Sequence, residues 1–445
     1  MNFPFHRFHV ALLILFAAKA VLLGATLANG PDVLLYGDGT EFAVRAEALW
    51  RTGEFGLIGG HGTVRDDAYR LPGYPVFLAL TRVSEGPAHV AVWSALQLIL
   101  FHAWLLIVGN WIVRRHGGRS AVYFVVALSL TLPWVHYVTA VQSDFQFALL
   151  TFSGVLLLLS ASEAPDRGRA PLIGAALCLG GAALTRPDLI FFPFWMAGFW
   201  AVLAIRNARR PGDAAALRAA PSLVVALAVF GFMAAWTARN FMVTGRLVYA
   251  SVIDTAIGFF AGRAEVAPQD VGSGLGVAEI LRLAVVNAGK IGSEMGAALA
   301  QLFLNPSRWY LHFYTDHLGV DLPSSGVPFA EIGFWSLPAL EKGYVAVGIL
   351  VPATILAVFA VFLYLLARGR AAIPWPSAAL VLWAAAYLVL QKGVWGALTP
   401  GSGQRYAMSI LPFLVYCGAL AFARPPVRAE AGAPRAGRGS PRAGP

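Results

Sequence analysis

Apolar runs of about 17 to 25 residues recur along most of this 445-residue chain, and their recurrence decides what it can fold into. A helix of that length crosses a hydrocarbon layer about 30 Å thick and satisfies its own backbone hydrogen bonds, whereas a barrel strand needs only about ten residues. Composition agrees, with 58% of residues hydrophobic and 13% charged, against roughly 25% charge in ordinary soluble domains. The expected fold is an all-α polytopic membrane protein.

Candidate spans are 10–28, 90–113, 121–138, 145–160, 172–184, 189–205, 221–236, 344–366, 377–390 and 406–422, about ten transmembrane helices in all. The stretches RRHGGR (114–119), RNARR (206–210), ARGR (367–370) and the arginines after Arg424 then share one side. The positive-inside rule makes that side cytoplasmic, with both termini there. Orientation, not nucleic acid, thus accounts for the formal net charge of +10. Residues 1–424 form the multispanning domain, with outer loops at 29–89 and 239–343, and residues 425–445, rich in Ala, Gly, Pro and Arg, are expected to be a disordered cytoplasmic tail. His6, Arg7 and His9 precede the first run without a small-residue cleavage site, so that run reads as an uncleaved span. Cys178 and Cys417 lie in apolar runs and lack metal or redox spacing.

The outer side carries the residues that need explaining. Arg70, Arg186, Arg239, Arg246 and Arg405 stand at the outer ends of apolar segments, and Asp38, Asp66, Asp67, Asp144 and Asp188 gather with them. Ionisable groups near the hydrocarbon boundary are costly unless paired, hydrated or used, so a shared outer cavity is expected. Each also has a plainer reading. In GDGTEF (37–42), Asp38 and Glu41 have the capping-box spacing, and Asp38 is equally a carboxylate able to act as a base at a membrane surface. Asp144 follows Ser143 at the start of an apolar helix, where it suits the helix dipole. Arg186 and Arg239 can snorkel to headgroups, and Asp188 can pair with Arg186. His61 has no second His or Cys at ligand spacing.

Two stretches, EFAVRAEALWRTGEF with Phe42, Ala46 and Leu49 at helical spacing, and VAEILRLAVVNAGKIGSEMGAALAQLFL in the large loop, read as interfacial helices. Residues 139–144, 185–188 and 392–405 read as short outer turns. One carboxylate among several arginines suits sugar transfer from a lipid-linked phosphate. A base takes the proton of the acceptor hydroxyl, and cations stabilise the departing phosphate. Arginine's planar fork can hold phosphate oxygens in pairs. No phosphate loop, HExxH zinc motif or GxSxG elbow is present.

Several strings, taken in order, resemble the polytopic GT-C glycosyltransferases, especially the bacterial relatives of the protein O-mannosyltransferases and of the aminoarabinose transferase that modifies lipid A. They are LLYGDGTEFAVRAEALWRTGEFGL, YRLPGYPVFLAL (69–80), VQSDFQFALL (141–150), LTRPD (184–188), ARNFMVTGRLVYAS (238–251) and GSGQRYAMSILPFLV (401–415). Asp38 matches the first-loop acidic residue that those enzymes use as base. The chain departs from them at Gly39, where relatives often carry a second acid, and at Asp144, where they usually carry Glu.

The resemblance implies a GT-C architecture in the plasma membrane, with the active site on the periplasmic or extracellular face. It implies a polyprenyl-phosphate-linked sugar donor, a glycan, lipid or protein acceptor, and an inverting displacement. Asp38 is then the base, and Arg405 and Arg239, with Arg186 and Arg70 behind them, bind the donor phosphate. Asp144, Asp188, Glu41 and Asp67 are secondary acidic candidates. No metal ligand is assigned and no cofactor is certain, although a divalent cation is compatible with the acidic group. Trp309, Tyr310, Phe313 and Tyr314 suit sugar stacking or interfacial anchoring. The alternative is a lipid-linked-sugar flippase or transporter, a class in which internal repeats and broken midplane helices are common. No repeat between the halves is detected.

Overall fold

The apolar runs become helices, and few other elements interrupt them. The computed structural model describes residues 7–28, 30–35, 38–58, 64–83, 88–163, 169–209, 218–245, 247–250, 339–398 and 403–423. Its helices are α1 (Arg7–Ala28), α2 (Asp38–Thr52), α3 (Gly73–Leu80), α4 (Ala88–His116), α5 (Gly118–Leu130), α6 (Leu132–His136), α7 (Ser143–Glu163), α8 (Ala170–Thr185), α9 (Phe192–Arg209), α10 (Ala220–Thr244), α11 (Ala339–Ala367), α12 (Trp375–Leu398) and α13 (Gly403–Ala419). One antiparallel ribbon, β1 (Gly56–Ile58) with β2 (Val64–Asp66), sits between α2 and α3 and has no counterpart in the sequence reading.

Among the described residues, six segments are long and apolar enough to cross a membrane: Arg7–Ala28, Ala88–His116, Ser143–Glu163, Pro187–Arg209, Ala220–Thr244 and Val345–Ala367. Their outward faces are apolar as well, with Leu13, Val21, Ile107, Leu227 and Leu350 among the exposed side chains. A face of this kind is stable against hydrocarbon and not against water. The chain is a multi-pass, helical membrane protein. Between its helices, packing relies on small residues, as is usual where lipid removes the hydrophobic drive for association. Helix α8 is rich in Ala and Gly and packs between α7 and α10, with its Leu179 over Gly154 and Phe232 over its Gly180.

Hydrogen bonds define two ends. At one end Arg115 of α4 pairs with Glu163 of α7 at 2.8 Å, Ser377 of α12 donates to the same carboxylate at 2.7 Å, and the Arg218 amide before α10 donates to Ser162 at 3.3 Å. Arg114, Arg119, Arg206, Arg209, Arg368 and Arg370 adjoin this end, which we term the basic end. At the other end the Val141 amide donates to the Leu34 carbonyl at 2.9 Å, joining the segment after α6 to the segment after α1. We term this the site end.

Two expectations change. The run 121–138 is not one helix, because Thr131 is extended and Pro133 follows, whose ring would clash with a carbonyl one turn back in a continuous helix. Residues 392–398 are not part of a turn, because α12 continues to Leu398. Several expectations lie outside the described residues: His61, Arg246, the second interfacial helix and aromatic cluster of 251–338, and the tail 425–445. The side chains of Asp66 and Arg405 do so too, although their backbones belong to β2 and α13.

Cysteines introduced singly at Arg51 and Arg368, both exposed, in a C178S/C417A background should react with a membrane-impermeant maleimide from opposite sides of sealed vesicles. Labelling of both from the same side would contradict the two-ended arrangement.

Candidate active site

Helix α2 begins at Asp38, one residue before a backbone-to-backbone contact. A Cβ on Gly39 would lie 2.7 Å from the Val141 carbonyl oxygen, so only glycine lets the start of α2 lie on the α6–α7 connection. A matching contact occurs at Gly73, the first residue of α3, where a Cβ would lie 2.8 Å from the Leu184 carbonyl oxygen. These two glycines seat the first surface segment directly on the ends of α7 and α8. The face of α2 that turns inward carries Phe42 and Ala46, both buried as the spacing predicts, with Leu49 half-buried, and Phe42 meets Tyr74 edge to face at 5.2 Å.

Arg70, in the turn before α3, reaches back to the start of α2. Its Nη2 donates to Asp38 Oδ1 and its Nε to Glu41 Oε2, each at 2.8 Å. Asp38 and Glu41, one helical turn apart, thereby share one guanidinium, and Arg70 Nη1 carries no hydrogen bond to any described residue. Burial works against the Arg70 charge, but Asp38 and Glu41 outweigh it and raise its pKa above the ordinary value. The guanidinium stays charged at every accessible pH. Tyr69 stacks under the same group, its ring 5.0 Å from the Arg70 guanidinium, and burial raises its phenol pKa. It is neutral at physiological pH.

Below this pair runs a second layer. Arg45 is buried, bonds Asp67 through Nε and donates from Nη1 to the Glu41 carbonyl at 2.8 Å. Asp67 also receives the Tyr69 amide at 2.7 Å. Arg239, near the end of α10, does not snorkel to lipid: it donates to the carbonyls of Asp67 at 2.8 Å and Phe55 at 3.0 Å, tying α10 to the surface segment. Its ring partners are Trp236 at 5.0 Å and Phe55 at 5.6 Å.

The remaining acids form a chain across three helix ends. Arg186, between α8 and α9, bonds Asp144 Oδ1 of α7 at 2.9 Å and Asp188 Oδ2 at 2.6 Å, and Asp188 Oδ1 receives Lys392 Nζ of α12 at 2.7 Å. Arg186 therefore does not snorkel either. Tyr387 of α12 donates to the Asp188 carbonyl at 2.7 Å, reinforcing the same junction. Lys392 is a partner that the sequence reading missed, since the apolar run ends at Leu390 and the signal was one lysine just beyond it.

Access separates the acids. All four acids are ion-paired, but the Asp38 and Glu41 side chains are 28% and 42% exposed, whereas those of Asp144 and Asp188 are 2% and 0% exposed. A general base must reach the proton it takes, and of these four acids only Asp38 and Glu41 are reachable from outside, while Asp144 and Asp188 join helix ends. Among the described residues no cluster of three or more His, Cys, Asp or Glu is arranged to hold a metal ion. Comparison of the chain with protein-family models, curated proteins and solved structures found no match.

Lys392→Met should lower stability in detergent by about 3 kcal/mol, the usual cost of breaking a buried ion pair from one side. Asp188→Asn/Lys392→Met should recover part of that loss, because the Arg186–Asp144 pair is left charge-balanced. Thermal unfolding of the two single variants and the double variant checks this, and strictly additive losses would count against coupling.

Proposed function

We propose that the chain is a glycosyltransferase that moves a sugar from a polyprenyl-phosphate donor to an acceptor hydroxyl. The observation that carries the reading is the Asp38–Arg70 pair: a reachable carboxylate held by a guanidinium whose Nη1 has no hydrogen bond among the described residues, at the start of α2. This reading uses ten crossings, by α1, α4, α5, α7, α8, α9, α10, α11, α12 and α13. The arginine-rich basic end is then cytoplasmic by the positive-inside rule, and the site end faces the periplasm or exterior. Lipid-linked sugars suit that face, where soluble nucleotide sugars are hard to reach.

In this mechanism Asp38 accepts the acceptor's hydroxyl proton as its oxygen attacks the anomeric carbon. The bond from that carbon to the phosphate oxygen breaks on the opposite side, which inverts configuration, and the bonding electrons leave with the polyprenyl phosphate. Arg70 orients the base through Nη2 and offers Nη1 to the growing phosphate charge, a preorganised donor of the kind that stabilises a transition state. Arg405, in the first turn of α13, is the second proposed phosphate ligand. Arg239 and Arg186 act through position in this scheme, the first clamping the surface segment and the second joining α7 to α8. Glu41 shares Arg70 and keeps its fork aligned with Asp38.

The test is incubation of purified protein with a panel of polyprenyl-phosphate sugars and a membrane extract, with mass spectrometry for a new glycan. Asp38→Asn preserves an equally good helix-terminal residue and removes the proton acceptor. Turnover should fall about 10²-fold or more while donor binding survives. Near-normal transfer by this variant would remove Asp38 from the chemistry, and donor translocation in proteoliposomes without any transfer would replace the reading with a flippase.

A further inference from the structure

At the end of the bundle opposite Asp38, an apolar trench opens between α5 and α11. Val122, Val126 and Leu130 of α5, spaced one turn apart, form one wall; Leu350 and Ile355 of α11 form the other, and Phe422 lies at its side. Its volume is about 980 Å³, at the upper end of the range for small-molecule sites. Helix α5 has 13 residues, so the trench wall extends about 20 Å, well into a hydrocarbon layer about 30 Å thick.

The trench is not apolar throughout. Its basic end is lined by Arg7, Gly118 and Arg119. Helix α5 starts there behind Gly117, which offers no side chain to cap the first-turn amides, and such amides are left without intrahelical partners. A Cβ placed on Gly117 or Gly118 would meet no atom within 4 Å, so the space beside the helix start is unfilled. An uncapped helix start flanked by two arginines favours a phosphate group through both backbone donors and charge. The acyl-length apolar trench beginning at that point says that the phosphate has tails.

We infer that this trench binds one anionic phospholipid from the basic-end leaflet, its phosphate between Arg7, Arg119 and the start of α5 and its acyl chains along Val122, Val126 and Leu130. Basic pockets between membrane helices select anionic headgroups in this way. The polyprenyl donor is a poor candidate for the same trench, because its phosphate belongs at the other end of the bundle. The choice of a phospholipid over the polyprenyl donor rests on the proposed function, whereas the trench and its two arginines do not.

Native mass spectrometry of the detergent-purified protein, titrated with phosphatidylglycerol, phosphatidylethanolamine or polyprenyl phosphate, tests it. Phosphatidylglycerol should be retained in preference to the other two. Arg7→Gln/Arg119→Gln should weaken that retention about tenfold or more, whereas Arg368→Gln/Arg370→Gln, at the same end but outside the trench, should leave it intact. Val126→Trp should displace the lipid with both arginines present. Equal retention of the zwitterionic lipid, preference for polyprenyl phosphate, absence of bound lipid, or an unchanged Arg7→Gln/Arg119→Gln protein would each overturn the inference. Both arginines are exposed, so their double variant stays informative should Val126→Trp fail to fold.

Discussion

Arg186 sits between two sealed carboxylates, and the rest of the site end depends on that arrangement. Asp144, Arg186, Asp188 and Lys392 alternate in charge along a chain that links α7, the α8–α9 turn and α12. Buried charges are expensive, and removing any one would leave its neighbour uncompensated in a low-dielectric setting. The chain therefore fixes three helix ends relative to one another more strictly than apolar packing alone would. Apolar packing tolerates sliding between similar surfaces, whereas an ion pair at 2.6 to 2.9 Å does not.

The surface segment rests on this platform. Gly39 and Gly73 bring α2 and α3 into backbone contact with the residues flanking the ion chain, and Arg239 ties the ribbon region to α10. Asp38 and Arg70 then stand at the top of a stack whose lower layers are sealed. The division of labour is electrostatic: acids and cations below are paired to hold the fold, and the pair above keeps a reachable carboxylate and a guanidinium nitrogen with no hydrogen bond among the described residues. Under the proposed mechanism the buried layer serves to keep the upper pair in place.

The helical, multi-pass character is legible in the sequence because it follows from run length and composition, which act locally. The start of α2 and the inward face of Phe42 and Ala46 are legible for the same reason. What escapes is pairing at long range. Lys392 and Asp188 are 204 positions apart, and nothing local distinguishes a lysine that closes an ion chain from one that begins a loop. Arg186 and Arg239 look alike as helix-end arginines in the string, yet one neutralises two acids and the other clamps two carbonyls. The ribbon of β1 and β2 escapes because each strand has three residues, too few for a period to register. The break at Thr131 is legible only in part: Pro133 signals it, but the apolar run continues across it.

An experimental structure of the protein with a non-hydrolysable polyprenyl-phosphate sugar tests the central claim most directly. The account predicts the lipid phosphate at the site end within hydrogen-bond reach of Arg70, with the sugar's anomeric carbon facing the Asp38 carboxylate across a gap wide enough for an acceptor hydroxyl. A phosphate bound at the basic end near Arg115, or a donor seated at the site end with Asp38 turned away from its sugar, would contradict it.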